Sequence, residues 1–226
     1  MKLLGIIPAR GGSKSIPLKN IKLLNGKPLI EYTIETALGT KLFDRIVVST
    51  DHEEIMSVCA KYSDIDIIKR PSNLATDDAR TEGALIHVCD VLKKRDSFVP
   101  EIVMTLEPTS PLRSKKTIER CLQIFEKSDA DSVIGVVETR ACYGKIVNDK
   151  FQFLFPNQPR RRQDRDPLYK ESSTIYATKL SVLKERKSVF GDFLVPLVIS
   201  LYEAMDVNDE FDFQLIKLLL EIKNEN

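Results

Sequence analysis

The sequence predicts an α/β fold built on a mostly parallel, doubly wound sheet. Two observations carry this. Short apolar runs alternate with longer segments of helical periodicity, the pattern of repeated strand–helix crossovers. Polar or charged residues then stand at or just after the ends of the apolar runs, at Arg10, Asp51, Arg70, Glu107 and Glu138. Ligands of such sheets collect there, beyond the carboxyl ends of the strands.

Each element has its own reason. Residues 3–7 are all apolar but for Gly5, and read as a buried strand. Residues 29–38 read as a helix and 45–49 as the second strand. A helix over 53–62 places Ile55, Val58 and Cys59 on one face. After a short strand at 65–68, a helix over 81–94 brings Leu85, Val88, Cys89 and Leu92 into register. Residues 102–106 are a buried strand stopped by Pro108, 115–127 a helix and 132–137 a strand. The rhythm then breaks. Residues 139–170 hold two short strand-like pieces, 145–147 and 151–155, followed by a run rich in Pro and Arg, and this reads as a hairpin excursion from the sheet. Residues 174–177 return to strand, 198–201 are a short apolar strand, and 210–222 form a final helix with Phe211, Leu215, Leu218, Leu219 and Ile222 on its apolar face.

A chain of 226 residues suits one large α/β domain spanning 1–226, with the excursion inside it. Its 34 basic and 33 acidic residues leave a net charge of +1, which gives no general basic face and points away from nucleic acid. No apolar run approaches membrane-spanning length and no signal-peptide pattern opens the chain, so the expectation is a cytoplasmic protein without a membrane partner. Cys59, Cys89 and Cys121 fall in helical segments, and Cys142 is far from them. The spacing favours reduced thiols and offers no C-x-x-C zinc pair.

The chemistry begins just after the first strand. Ile6-Ile7-Pro8-Ala9-Arg10-Gly11-Gly12-Ser13-Lys14-Ser15-Ile16-Pro17-Leu18-Lys19-Asn20 is a glycine turn ringed by Arg10, Lys14 and Lys19. Adjacent glycines expose backbone N–H groups, and fixed cations around them suit a polyphosphate. The spacing is not that of a P-loop. It is not the dinucleotide fingerprint either, since Pro17 interrupts before any helix can start.

These residues resemble the opening of the acylneuraminate cytidylyltransferases, or CMP-sialic acid synthetases, I-P-A-R-x-x-S-K-G-[IL]-P-x-K-N. Ser15 replaces the usual glycine, a substitution expected to strain the turn if that position needs φ > 0. The likeness continues at Val48-Ser49-Thr50-Asp51, Arg70-Pro71-Ser72-Asn73-Leu74-Ala75, Pro108-Thr109-Ser110-Pro111-Leu112-Arg113, Arg161-Arg162-Gln163-Asp164, Ile175-Tyr176 and Met205-Asp206-Val207-Asn208, in the family's order. It implies a nucleotide-diphospho-sugar transferase-like, Rossmann-like fold. It also implies transfer of CMP from CTP to the anomeric hydroxyl of a 2-keto-3-deoxy acid sugar, with release of pyrophosphate.

The resemblance assigns residues as well. Ala9, Arg10, Gly11, Gly12, Ser13, Lys14, Lys19 and Asn20 would surround the nucleotide, with Arg70, Ala79 and Thr81 near cytosine or ribose. Arg10, Lys14 and Lys19 would neutralise phosphate charge during transfer. Asp206 and Asn208, two apart in an extended segment, would face one Mg²⁺ with oxygen ligands. The family usually has D-x-D there, so a charge is missing at Asn208, while Asp209 suits the cap of the last helix. Glu107 stands where many relatives have Gln. Either it restores a carboxylate near the metal, or it bonds a sugar hydroxyl as Gln would. Thr109 and Ser110 are placed near the sugar. The Arg160–Arg165 cluster and Lys170 suit the acceptor's carboxylate, and carry-over adds Lys145, Arg162 and Tyr176 to that pocket. Related synthetases dimerise through the excursion, so a homodimer is expected, with Lys145 and Arg162 serving the neighbouring subunit.

Two rivals stand beside this reading. An eight-carbon Kdo-type synthetase would share the fold but usually shows R-Y-x-S-x-R-L-P in the first loop, against Gly-Gly-Ser-Lys here. A catalytically weak nucleotide-binding regulator is favoured only by Ser15 and Asn208.

Overall fold

The computed structural model describes residues 1–225. Strand β1 (Leu3–Pro8) leads into the glycine loop, which a two-residue ladder closes, β2 (Leu23–Leu24) against β3 (Lys27–Pro28). Helix α1 (Leu29–Leu38), β4 (Arg45–Thr50), α2 (Glu53–Cys59), β5 (Asp66–Lys69), α3 (Thr81–Asp96), β6 (Ile102–Thr105) and α4 (Lys115–Lys127) follow in alternation. Strand β7 (Ser132–Thr139) opens into a hairpin, β8 (Gly144–Val147) with β9 (Lys150–Phe153), and β10 (Leu168–Lys179) returns the chain to the sheet. Helix α5 (Leu180–Arg186), β11 (Leu194–Val198) and α6 (Glu210–Glu225) complete the order.

Seven strands form one sheet in the order β11-β7-β10-β6-β1-β4-β5. Every neighbouring pair is parallel except those made by β10, which runs antiparallel to both β6 and β7. Side chains of β1 alternate between the two faces, as the strand period of two requires. Leu3 and Ile7 pack with Ile30, Ile34, Ile55, Ile118 and Cys121, whereas Leu4 and Ile6 pack with Leu85, Val88, Leu92 and Leu183. Helices α1, α2 and α4 therefore cover one face and α3 and α5 the other, the doubly wound layering that the alternation predicts.

A third cluster sits at the carboxyl end of the sheet. It joins Ile16 of the glycine loop to Leu24, Leu29, Leu112, Val207, Phe213 and Ile216. Burying Ile16 there ties the loop to the segment before α6.

The register of β10 slips between Glu171 and Tyr176. Bulges of this kind re-aim side chains beside functional sites. Here Ser172, Ser173 and Thr174 occupy the slip, with Ser172 and Thr174 buried and sharing a 2.7 Å hydrogen bond.

Some boundaries differ from the sequence reading. The last strand spans 194–198, not 198–201, and 201–204 is a turn. Pro196 breaks the apolar run in sequence, yet an edge strand tolerates a missing N–H. Helix α2 ends at Cys59, short of residue 62. Cys59, Cys89 and Cys121 are buried free thiols, those of Cys59 and Cys89 pushed up by burial to about 12. Among the described residues no helix is long and apolar enough to cross a membrane.

Candidate active site

The glycine loop leaves β1 at its carboxyl end and is held from several sides. Gly11 must be glycine because a Cβ there would lie 2.6 Å from the His52 ring. Its N–H donates to Asp51 Oδ1 at 2.9 Å, so this donor is engaged within the protein rather than open to solvent. Asn20 is buried and donates to the carbonyl of Arg10 at 3.0 Å, which fixes the turn from within. The strain expected at Ser15 is absent, since the non-glycine residue of this loop with positive φ is Leu18, at 47°. Ser15 Oγ instead donates to the carbonyl of Asn208. Lys19 Nζ donates to the carbonyl of Val207 at 2.7 Å, and burial lowers its pKa against the pull of Asp206. The loop is thus laced to residues 207–208 at two points.

Arg70 follows β5 and is buried, not a solvated turn residue. Its guanidinium donates to Ser49 Oγ at 3.2 Å and to the Ser49 carbonyl at 2.8 Å. Arg113 is buried as well, donating to the carbonyls of Thr174 and Glu107 and to Thr33 Oγ1. It clamps the Glu107–Arg113 turn onto β10, and burial lowers its pKa to about 10. The motif Pro108–Arg113 carried this arginine in sequence without revealing its clamp.

Glu107 lines a cavity of about 290 Å³ together with Thr81, Thr109, Glu171, Ser173 and Tyr176. Its carboxyl is raised to about 7, first by burial and then by the nearby charge of Asp206, while Arg113, Arg70 and Lys19 pull the other way. The Val207 N–H donates to the Thr109 carbonyl at 2.8 Å, so the Glu107 and Asp206 segments are joined through the backbone. Asp206 Oδ1 is buried with no hydrogen-bond partner among the described residues. Asn208 is exposed, and its amide turns back to the Asp206 carbonyl at 3.3 Å. The extended segment expected to align both side chains is irregular here.

Tyr176 donates to Glu171 at 2.8 Å, and burial with that carboxylate pushes its pKa up. Glu171 was not anticipated from sequence; it sits beside the bulge, which periodicity does not reveal. Ser110 is buried within 3.5 Å of Ser173. Ala79 and Thr81 close the strap between β5 and α3, with Thr81 at the cavity wall.

The excursion residues are less converged. Lys145, Arg162 and Lys170 are exposed and do not line this cavity. Arg165 is spent on the chain itself, donating to the carbonyls of Pro159, Arg140 and Arg160, so the arginine cluster holds fewer free forks than its sequence offered. Gly144 accommodates the Phe151 ring, which a Cβ would meet at 2.3 Å.

An orphaned carboxylate oxygen on Asp206 beside the raised carboxyl of Glu107 is an unfavourable pair that a hard cation relieves, so these residues fit a divalent metal.

Comparison with known proteins agrees with the motif resemblance. A cytidylyltransferase family profile matches residues 4–193. The chain is 31% identical to CMP-N,N'-diacetyllegionaminic acid synthase of Legionella pneumophila over 231 residues, covering 100% of this chain and 99% of that protein. It is also 31% identical to a pseudaminic acid cytidylyltransferase of Campylobacter jejuni, again covering 100% and 99%. The fold is similar to that of CMP:2-keto-3-deoxy-manno-octonic acid synthetase complexed with CTP, with a TM-score of 0.73 at 16% identity over 99% of this chain and 100% of that one. The chain belongs to the cytidylyltransferase family.

Proposed function

We propose that this cytidylyltransferase moves CMP from CTP to the anomeric hydroxyl of a nine-carbon 2-keto-3-deoxy acid sugar and releases pyrophosphate. The observation that carries the reading is the gathering, beyond the carboxyl ends of the parallel strands, of Lys19 and Arg70 with the carboxylate of Glu107, of Asp206 beside Lys19 and Glu107, and of Arg10 beside both cations. Full-length relatives that act on legionaminic and pseudaminic acids support the acceptor class.

In this reading Arg10 and Lys14 hold the polyphosphate and neutralise the leaving pyrophosphate. Ala9, Gly11, Gly12, Ser13 and Asn20 shape that cradle, and Lys19 joins it to the 206–208 segment. Arg70, Ala79 and Thr81 border the nucleoside. Asp206, with Glu107 beside it, would hold Mg²⁺, which when bound would supply positive charge against the transferring phosphate. The exposed amide of Asn208 leaves Glu107 as the better second carboxylate. The acceptor enters the cavity at Thr109 and Tyr176, with Ser110 buried behind the wall beside Ser173, its hydroxyl directed in line with the α-phosphorus. Its carboxylate pairs with Lys145, Arg162 and Lys170, which a twofold-related subunit brings over the cavity. The enzyme works in the cytoplasm as one domain whose 139–170 excursion makes that dimer.

The test is pyrophosphate release from CTP with Mg²⁺ across N-acetylneuraminate, legionaminate, pseudaminate and Kdo. Release with a nine-carbon acid sugar, slowed roughly a hundredfold by Arg10→Ala or Lys14→Ala through a loss of about 3 kcal/mol of transition-state stabilisation, is the expected result. Release with Kdo alone moves the assignment to the eight-carbon acid. Release with none of the four refutes the acceptor class.

A further inference from the structure

The two cations assigned to the polyphosphate already have a partner. Asp77 Oδ1 accepts from Arg10 Nη1 at 2.8 Å, and Asp77 Oδ2 lies 2.8 Å from Lys14 Nζ. One carboxylate thus spans both side chains, one oxygen to each, as two oxygens of a phosphate chain would. The pairing does not come from neighbours in sequence, because 67 residues separate Arg10 from Asp77. It comes from the fold, which brings the strap after β5 over the loop after β1.

The strap is built to give way. Residues 75–80 form neither helix nor strand, and Asp77 is exposed, at 41% of its side-chain surface. Its carboxyl is held below the usual carboxylate range by Lys14 and Arg10, so it is charged at neutral pH. Solvent-exposed ion pairs of this kind are weak and exchange readily. The same strap carries Ala79 and runs into Thr81, at the wall of the cavity. A nucleotide settling against the strap therefore meets Asp77 and the two cations together.

We propose that Asp77 is an internal counter-anion that occupies the polyphosphate cradle between turnovers, leaves it when CTP enters, and returns to it as pyrophosphate departs. The inference rests on the assignment of Arg10 and Lys14 to the polyphosphate. Its consequence is an affinity deliberately below what the two cations alone would give. The empty cradle is never two unpaired charges, and departing pyrophosphate is replaced by a carboxylate on the protein rather than by bare solvent.

Titration calorimetry with inorganic pyrophosphate, and separately with CTP, tests this on the full-length wild type and on Asp77→Asn, Asp78→Asn and Arg10→Ala. Asp78 neighbours Asp77 but forms no ion pair among the described residues, so it reports the general effect of removing one negative charge. Asp77→Asn is expected to bind both probes roughly tenfold more tightly, the worth of two exposed ion pairs. Product inhibition by pyrophosphate should strengthen by the same factor. Asp78→Asn should change little, and Arg10→Ala should lose binding. Unchanged or weaker binding by a folded Asp77→Asn, with Arg10→Ala still deficient, overturns the counter-anion and leaves the cradle standing. An equal gain in Asp78→Asn also overturns it, because the effect is then net charge alone. Wild-type protein that binds neither probe, or Arg10→Ala that binds as well as wild type, refutes the cradle and the counter-anion together.

Discussion

At the scale of single residues, the site sets buried carboxylates against one another, with the nearby cations not enough to offset their burial. Glu107 is the clearest case. Burial and Asp206 raise its carboxyl from the ordinary 4.5 to about 7 in the fold, so the folded protein binds its proton more tightly than the unfolded chain. Stability is therefore lost as pH climbs between those two values, and the cost is fully present above the folded one. Glu107→Gln removes the charge at little change in shape. It should raise the melting temperature of metal-free protein near pH 8, leave it unchanged near pH 4, and reduce the further rise expected of the wild type in Mg²⁺. Scanning calorimetry in chelator and in Mg²⁺ reads both effects. Equal melting temperatures near pH 8, with an undiminished Mg²⁺ response, would leave Glu107 as a hydrogen-bond partner for the sugar. Sequence showed the residue and its two possible roles. It did not show that Asn208 turns its amide back to the Asp206 carbonyl, because that depends on a segment without regular structure and with no periodic signal. Asp77 was equally hidden, since its meaning lies in a contact between two loops that only the assembled sheet brings together.

At the scale of elements, periodicity exposed most of what is amphipathic, missed what is short or interrupted, and chose the wrong face of α6, where Phe211, Leu218 and Ile222 are exposed and Phe213 and Ile216 are buried. Helices α1, α3 and α4 and strands β1, β4 and β6 were legible because each puts a run of apolar side chains into one of two cores. Helix α5 was not, as its seven residues follow β10 without a break. The β2–β3 ladder has two residues a side and only its turn chemistry as signal, Asn25 at φ 49° and Gly26 at φ 78°. The start of α6 was legible from its cap. Asp209 Oδ1 accepts from the Asp212 N–H at 3.0 Å, and Asp212 Oδ2 accepts from the Asn208 N–H at 2.9 Å, two linked bonds that hold the helix entrance. Because α6 packs Phe213 and Ile216 beside Val207 and Ile16, the cap also steadies the 206–208 segment. Asp209→Ala should cost about 1 kcal/mol, read as a fall of roughly 2–4 °C in melting temperature. A melting temperature equal to wild type would mean that packing alone holds the helix start.

At the scale of the whole molecule, one surface feature is at odds with a free-standing monomer. The β8–β9 hairpin pairs Ile146 with Phe151 and Gly144 with Phe153, and strand alternation puts Ile146, Phe151 and Phe153 on one face. Those three side chains are 76%, 58% and 57% exposed, and the two phenylalanine rings meet edge to face at 5.1 Å. A two-stranded hairpin is marginal in water, and large contiguous apolar patches mark interaction surfaces. Lys145 alternates to the opposite face of the same strand, paired with Gln152, so a partner covering the aromatic face leaves the lysine free to reach elsewhere. In its own chain neither Lys145 nor Arg162 lines the cavity that holds Glu107 and Tyr176. Both facts fit a twofold dimer in which each hairpin docks through its aromatic face and carries cations to the other subunit's acceptor, an exchange that closed symmetry makes reciprocal. The model is tested by mixing two inactive variants, Arg10→Ala and Arg162→Ala, under conditions that exchange subunits. In the heterodimer, one active site joins an intact Arg10 from one chain to an intact Arg162 from the other, while its counterpart lacks both. Mixed dimers should then recover about half the activity of a wild-type dimer, with random exchange making half the population mixed. If labelled subunits demonstrably exchange and activity stays at the level of the separate variants, Arg162 serves its own chain, and the aromatic face must be explained by a contact that brings no residue to the site.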